Sequence, residues 1–149
     1  MMIYVDADAC PVKAEVLRVA ERHGIAVHMV SNQWMRMPSH ALLQIHVVAG
    51  GLDKADDWIV EHIGTGDITI TADIPLAARC LSKGARVIGH TGKPFDGDSI
   101  GMALAMRDLN AHLRDTGEIR SSGASFGSKE RSRFLQSLEE AIQALKRGR

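Results

Sequence analysis

Across the first ninety residues, short apolar runs alternate with stretches whose apolar residues recur at helical spacing, and few folds accept that order. Residues 2–5 read as a strand. "VKAEVLRVAERHG" (12–24) follows, with Val12, Val16, Leu17, Val19 and Ala20 at helical intervals, Pro11 suited to the first turn, and Gly24 placed to close it. "IAVHMVS" (25–31) is a second strand, "NQWMRMPSH" (32–40) a loop, and "LLQIHVVAG" (42–50) holds a third strand. "LDKADDWIVEHIG" (52–64) sets Leu52, Ala55, Ile59 and Ile63 on one helical face. "DITITAD" (67–73) is a fourth strand, "IPLAARCLSKGA" (74–85) a helix, and "ARVIGH" (85–90) a fifth strand. Such alternation predicts an α/β fold: a parallel sheet covered by helices on both faces, with right-handed crossovers.

Beyond residue 90, "TGKPFDG" reads as a turn-rich loop, 98–117 as a long amphipathic helix, 118–128 as a Ser/Gly-rich loop and 129–148 as a closing helix. Neither a repeat nor a linker interrupts the chain, so the expectation is one domain over 1–149. Eighteen basic residues balance eighteen acidic ones, so any nucleic-acid surface has to be a local patch. The absence of an apolar run of about 18 residues, and of a basic-then-apolar leader, predicts no membrane contact and a cytoplasmic location. Cys10 and Cys80 fit neither a disulfide framework nor a metal motif, which agrees with a reducing compartment.

In parallel sheets of this kind, ligands bind beyond the carboxyl ends of the strands, where strand order reverses. Asp6 and Asp8 stand at that end of the first strand in "IYVDADACPVK", and Asp73 at that end of the fourth. "DKADDW" adds Asp53, Asp56 and Asp57 at the start of a helix. Carboxylates gathered in a crevice need a compensating cation, and hard oxygen donors suit Mg²⁺ or Mn²⁺. Singly, Asp8, Asp53 and Asp73 each have a structural reading as a helix N-cap. Together they point to a metal site that activates water and stabilises charge on a phosphate.

"VDADACPVK", "ADDWIVEHI", "DITITADIPLAARCLSKGA" and "RSSGASFG" resemble the signature stretches of the YaiI/YqxD family of uncharacterised bacterial proteins, over nearly the whole chain. That family is placed among PIN-like folds, whose better-known members are metal-dependent nucleases of RNA or flap DNA. The resemblance implies a three-layer α/β/α fold with a five-stranded parallel sheet in the order 3-2-1-4-5. It implies that Asp6, Asp8 and Asp73 match the PIN-type acidic positions, with Asp56 or Asp57 as the middle acid. It further implies a hydrolase acting on RNA or on single-stranded or flap DNA. The chain departs from the PIN pattern in "DADACP", where two acids and a cysteine stand in place of one acid and small residues.

A phosphodiester also needs positive charge nearby. Candidates for contacting substrate are Lys13, Asn32, Arg36, Arg79, Arg120, Ser121 and Ser122. Trp34 either stacks on an unpaired base or packs on the sheet edge. "KERSR" (129–133) reads as a solvated helix start. Cys10 at a helix N-terminus would have a lowered thiol pKa, whereas Cys80 reads as an apolar filler. The seven histidines contain no zinc-type pair at i, i+4.

Two other function classes compete with a nuclease. A phosphatase of the haloacid-dehalogenase kind also opens with a strand and Asp-x-Asp, but Cys10 replaces the usual Thr or Val and Thr71 stands where a later acid belongs. A catalytically inactive module could bind nucleic acid or protein through the same crevice.

Overall fold

The computed structural model describes residues 1–8, 10–102, 104–106 and 126–148, with the Leu52 side chain left aside. The five apolar runs become parallel strands β1 (Met2–Asp6), β2 (Ala26–Ser31), β3 (Leu43–Val47), β4 (Ile68–Ile70) and β5 (Arg86–Ile88). A sixth strand, β6 (Pro94–Phe95), pairs antiparallel with β5, so the sheet is mixed and ordered 3-2-1-4-5-6. The expected five-strand order thus holds, with one correction: "TGKPFDG" is partly strand, not only turn. A proline at the rim of a sheet sits where its missing N–H costs no ladder bond.

The helices are α1 (Lys13–His23), α2 (Leu52–His62), α3 (Ile74–Ser82) and α4 (Ser128–Lys146), and residues 97–102 and 104–106 are also helical. Helix α1 buries Val16, Leu17, Val19 and Ala20, then stops at Gly24, whose φ of 68° is the left-handed value a C-cap needs. Its N-cap is Val12, so Pro11 lies in the preceding turn rather than in the first helical turn. Helix α4 buries Phe134, Leu138, Ala141 and Ile142, spaced i, i+4, i+7, i+8. The remainder of the expected 98–117 helix and most of the 118–128 loop lie outside the described residues.

Two apolar layers lie on opposite faces of the sheet, as the strand alternation requires. Ile3, Val5, Val27, Met29, Ile68 and Ile70 meet α1 and α4, with Phe134 wholly buried. Tyr4, Val30 and Val87 meet α2 and α3 through Ala55, Ile59, Leu76 and Ala77. This is the three-layer α/β/α arrangement. Among the described residues, no helix is long and apolar enough to cross a membrane.

The chain winds from β1 outward to β3, then returns through α2 to β4 on the other side of β1. The reversal point therefore lies between β1 and β4, and the carboxyl ends of those two strands carry the aspartates.

Candidate functional site

At the reversal point, Asp6, Asp8, Asn32, Asp53, Asp56, Ala72, Asp73 and His90 line one open crevice of about 480 Å³. Three elements supply its acids: the end of β1, the residues after β4, and the first turns of α2. Two buried hydroxyls, one at the end of β2 and one just after β4, hold the Asp8 and Asp6 carboxylates in place. Thr71 donates to Asp6 Oδ2 at 2.8 Å, and its own Oγ1 accepts from the Asp73 N–H at 2.9 Å. Ser31 donates to Asp8 Oδ1 at 2.6 Å, while the Asn32 N–H donates to Asp8 Oδ2 at 3.0 Å. Asp73 Oδ1 accepts from the Leu76 N–H at 3.0 Å, so Asp73 caps α3 as well as facing the crevice. Asp8 caps nothing, since α1 has no side-chain cap, and Asp53 lies inside the first turn of α2 rather than at its cap.

The electrostatics are those of uncompensated negative charge. Partial burial and the neighbouring Asp6, Asp73 and Asp53 carboxylates push the Asp56 carboxyl up to about 7, against an opposing pull from Arg79. Burial, then Asp73 and Asp8, also raise Asp6, although the Thr71 hydrogen bond works the other way. Desolvation and like-charge neighbours act in the same direction on both carboxyls, each favouring the protonated form. Five of the lining residues offer carboxylate oxygen, which suits a hard divalent cation, beside the amide of Asn32 and the imidazole of His90. Among the described residues, however, no three His, Cys, Asp or Glu side chains already stand as an ion-holding group. Repulsion between ionised carboxylates disfavours the closer approach a shared ion would require.

The adjacent pair on α2 splits. Asp56 lines the crevice, whereas Asp57 Oδ1 pairs with Arg79 at 2.9 Å. Arg79 is therefore tied to Asp57 and does not line the crevice. Neither does Lys13, which lies with Leu17, Met37 and Pro38 in a separate groove beside α1, nor the exposed Arg36. Asn32 lines the crevice, and its side-chain amide, turned so that the nitrogen faces the carbonyls of Gly51 and Val48, donates to them at 2.9 Å and 3.3 Å. Trp34 is 72% exposed, so it does not pack on the sheet edge. Arg120, Ser121 and Ser122 lie outside the described residues.

Two expectations need correcting. Cys10 precedes α1 instead of sitting on its N-terminus, and burial pushes its thiol up to about 11. "KERSR" is not wholly solvated, because Arg131 donates to Glu15 Oε1 at 2.7 Å and to the Pro11 carbonyl at 2.8 Å. Cys80, as expected, is buried among apolar side chains of α3's layer.

Sequence reasoning missed Thr71, Ser31 and His90. The hydroxyls ending "TIT" and "MVS" were the available signal, since a polar residue closing an apolar strand faces either solvent or a site. It also missed a ring stack on the α2 face. His28 lies against Tyr4 and His46, Trp58 leans on His46 at 4.3 Å between centroids, and His62 stacks on Trp58 at 3.8 Å. His28 Nδ1 and His46 Nε2 are 3.0 Å apart, one donating to the other. Burial lowers the pKa of both; His62 adds to the shift at each ring and His28 to that of His46, while Asp67 opposes it at His28.

A family model described as an uncharacterised BCR, YaiI/YqxD family matches residues 4–144. The chain is 60% identical over 145 residues to a UPF0178 protein of Parvibaculum lavamentivorans, covering 97% of this chain and 95% of that one. It is 59% identical over 150 residues to a UPF0178 protein of Rhodospirillum rubrum, covering all of both chains. A UPF0178 protein of Rhizobium etli is 53% identical over 145 residues, with 97% and 94% covered. No solved structure matches. These matches run over nearly the whole chain, and the chain belongs to the YaiI/YqxD family.

Proposed function

We propose that this protein is a divalent-cation-dependent phosphodiesterase acting on nucleic acid, with Mg²⁺ or Mn²⁺ in the acidic crevice. The observation that carries this reading is the convergence of Asp6, Asp8, Asp53, Asp56 and Asp73 on one crevice, with Asp56 held at about 7 by burial and by its acidic neighbours. A phosphodiester brings one negative charge and gains more when hydroxide attacks, so bare carboxylates would repel it. When bound, a divalent cation supplies charge neutralisation and a more acidic water.

The chain's own part is orientation. Asp6 and Asp73 are the proposed cation ligands, the first carboxylate held by the Thr71 hydroxyl and the second by the Leu76 N–H. Asp8 is proposed to hold a second ion or to orient the attacking water, and the Ser31 and Asn32 donors keep its carboxylate from rotating. Asp56 completes the acidic set, while Asp57 stays with Arg79. The free thiols of Cys10 and Cys80 support a cytoplasmic setting.

Purified protein incubated with labelled single-stranded RNA and DNA, with Mn²⁺ present and EDTA as control, tests the reading. Cleavage that needs the metal and disappears in Asp6→Asn supports it. A binding module without catalysis is the second reading, favoured by the lack of a ready three-donor group among the described residues. It predicts retention of the oligonucleotide without cleavage, insensitive to EDTA.

A further inference from the structure

The crevice has an unsolved charge problem. Its walls are acidic, and the cations nearest in sequence are placed elsewhere or paired. A long polyanion would need positive charge close by, on a surface continuous with the crevice.

One such surface is lined by the residues that follow directly on a crevice residue in the chain. His90 lines the crevice, and the next three residues, Thr91, Gly92 and Lys93, line a groove of about 490 Å³ together with Arg133 and Gln136 of α4. The turn joining the two is closed by the Gly89 N–H on the Lys93 carbonyl at 2.8 Å and the Gly92 N–H on the Gly89 carbonyl at 3.0 Å. Gly92 has φ +89°, and a Cβ there would come within 2.6 Å of the Arg133 carbonyl oxygen. Backbone therefore lies on backbone at this point. The contact holds the turn carrying Lys93 against the helical turn carrying Arg133, so two cations from distant parts of the sequence share one wall.

Lys93 and Arg133 are both exposed, and among the described residues neither makes a salt bridge. Arg133 does feel Glu130 one turn earlier, but that carboxylate also accepts from the Gly127 N–H. One acid, Glu140, stands further along, where the Gln136 amide donates to it at 3.2 Å. Past it a second depression of about 300 Å³ shares Pro94, Ser137 and Glu140 and reaches Arg86. The two depressions share three residues, so the surface is elongated, and Lys93 and Arg133 line it against Glu140. A single phosphate does not need such length, whereas a chain of phosphates does.

We propose that this groove carries the sugar–phosphate backbone of a single-stranded oligonucleotide whose reacting phosphate lies in the acidic crevice. The proposal rests on the phosphodiesterase reading and narrows it. The substrate is a polymer, held by Lys93 and Arg133 outside the crevice, and not a mononucleotide or a phosphomonoester. Phosphate contacts of this type position a strand without reading its sequence.

The test compares the wild-type protein with Lys93→Gln/Arg133→Gln. Binding of a short fluorescent oligouridylate is followed by anisotropy in Ca²⁺ over a range of salt. Hydrolysis of bis(p-nitrophenyl) phosphate, too small to reach the groove, is followed separately in Mn²⁺. The expected result is oligouridylate binding about tenfold weaker, with a salt slope smaller by about 1–2, the loss of two phosphate contacts. Hydrolysis of the small diester is expected to be unchanged. Equal oligouridylate affinity in both proteins, or no binding by the wild type, overturns the groove. A parallel fall in small-diester hydrolysis also overturns it, because the substitutions would then act through the crevice. Groove-dependent binding in a protein that hydrolyses neither substrate removes the phosphodiesterase reading and leaves the groove standing.

Discussion

Helix α2 carries two clusters of like titratable groups, and they manage proximity in opposite ways. Toward its N-terminus, Asp53 and Asp56 face Asp6, Asp8 and Asp73 across a crevice. Toward its C-terminus, Trp58 and His62 join His28, His46 and Tyr4 in a ring stack. His28 and His46 settle their conflict by favouring the neutral form. Burial depresses the pKa of His28 and His46, and a neutral pair can share one N–H between two ring nitrogens. The aspartates have no comparable remedy near neutral pH. Pushing Asp56 up to about 7 removes only part of the charge, and only by retaining a proton. The stack is held by contacts among its own rings and leaves only one buried side-chain nitrogen, His28 Nε2, without a partner among the described residues, so it reads as structure. In the crevice, hydrogen bonds fix Asp6, Asp8 and Asp73, but none of those donors is a cation, so the like charges stay uncompensated.

The largest effect should come from breaking the crevice. Asp6→Asn is expected to reduce metal-dependent phosphodiester hydrolysis by about 10²-fold or more, the scale for losing a principal electrostatic group. Its melting temperature should hold or rise, since Asp6 is destabilised as an anion. Activity and thermal unfolding measured on one preparation give the check, and a collapse of stability would move Asp6 to the structural side of the comparison.

Breaking the stack should do the reverse. Trp58 is half-buried between histidine rings, so Trp58→Ala should cost about 2–3 kcal/mol, somewhat less than a wholly buried aromatic. For a chain of this size that lowers the melting temperature by about 5–10 °C. Metal affinity at the crevice should change far less than stability does, which calorimetry can compare directly.

The third effect concerns Asp56 and its sign. Its folded-state pKa lies above the unfolded value, so its contribution to stability is complete below about pH 4 and is lost as pH rises through about 7. Asp56→Asn should therefore stabilise the metal-free protein at pH 8 and change little at pH 4. Solvent screening of a half-exposed group limits the gain to about 1–2 kcal/mol. Unfolding at the two pH values checks this, and equal effects at both would remove the claim of repulsion.

The smallest effect belongs to the histidines. The folded-state pKa values of His28 and His46 lie below the ordinary 6.5, so the neutral pair contributes stability above that pH and loses it as pH falls through the depressed values. Nearby Asp67 opposes the shift at His28, and His62 reinforces it at both rings. A wild-type stability curve should fall on the acid side of about pH 6.5, and His28→Gln should flatten that fall. Trp58 fluorescence in a Trp34→Phe background would report the same transition locally.

How legible these two regions were in the sequence differs for a physical reason. Strand and helix periods are local, so the five strands and the placement of Asp6, Asp8 and Asp73 at strand ends could be read directly. Strand β6 could not, because two residues, one of them proline, carry no period. The ring stack joins β1, β2, β3 and α2, and nothing in "AVHMVS" or "LQIHV" announces that two histidines will meet. Burial is equally invisible along a sequence, which is why Cys10 reads as activated and turns out to be raised. The cations show the same limit. Which carboxylate Arg79 meets, and which helix Lys93 faces, are decided by packing.

The central claim is that the crevice holds a divalent cation, and the direct measurement is a calorimetric titration of Mn²⁺ into wild-type protein and Asp6→Asn/Asp73→Asn at pH 7. Asparagine is as good an N-cap as aspartate, so α3 should keep its start in the double variant. The account predicts saturable binding to the wild type with release of roughly half a proton, displaced from Asp56, and affinity weakened at least about tenfold in the double variant, a loss of about 1.4 kcal/mol or more. No binding to the wild type, or equal binding by both proteins, would contradict it.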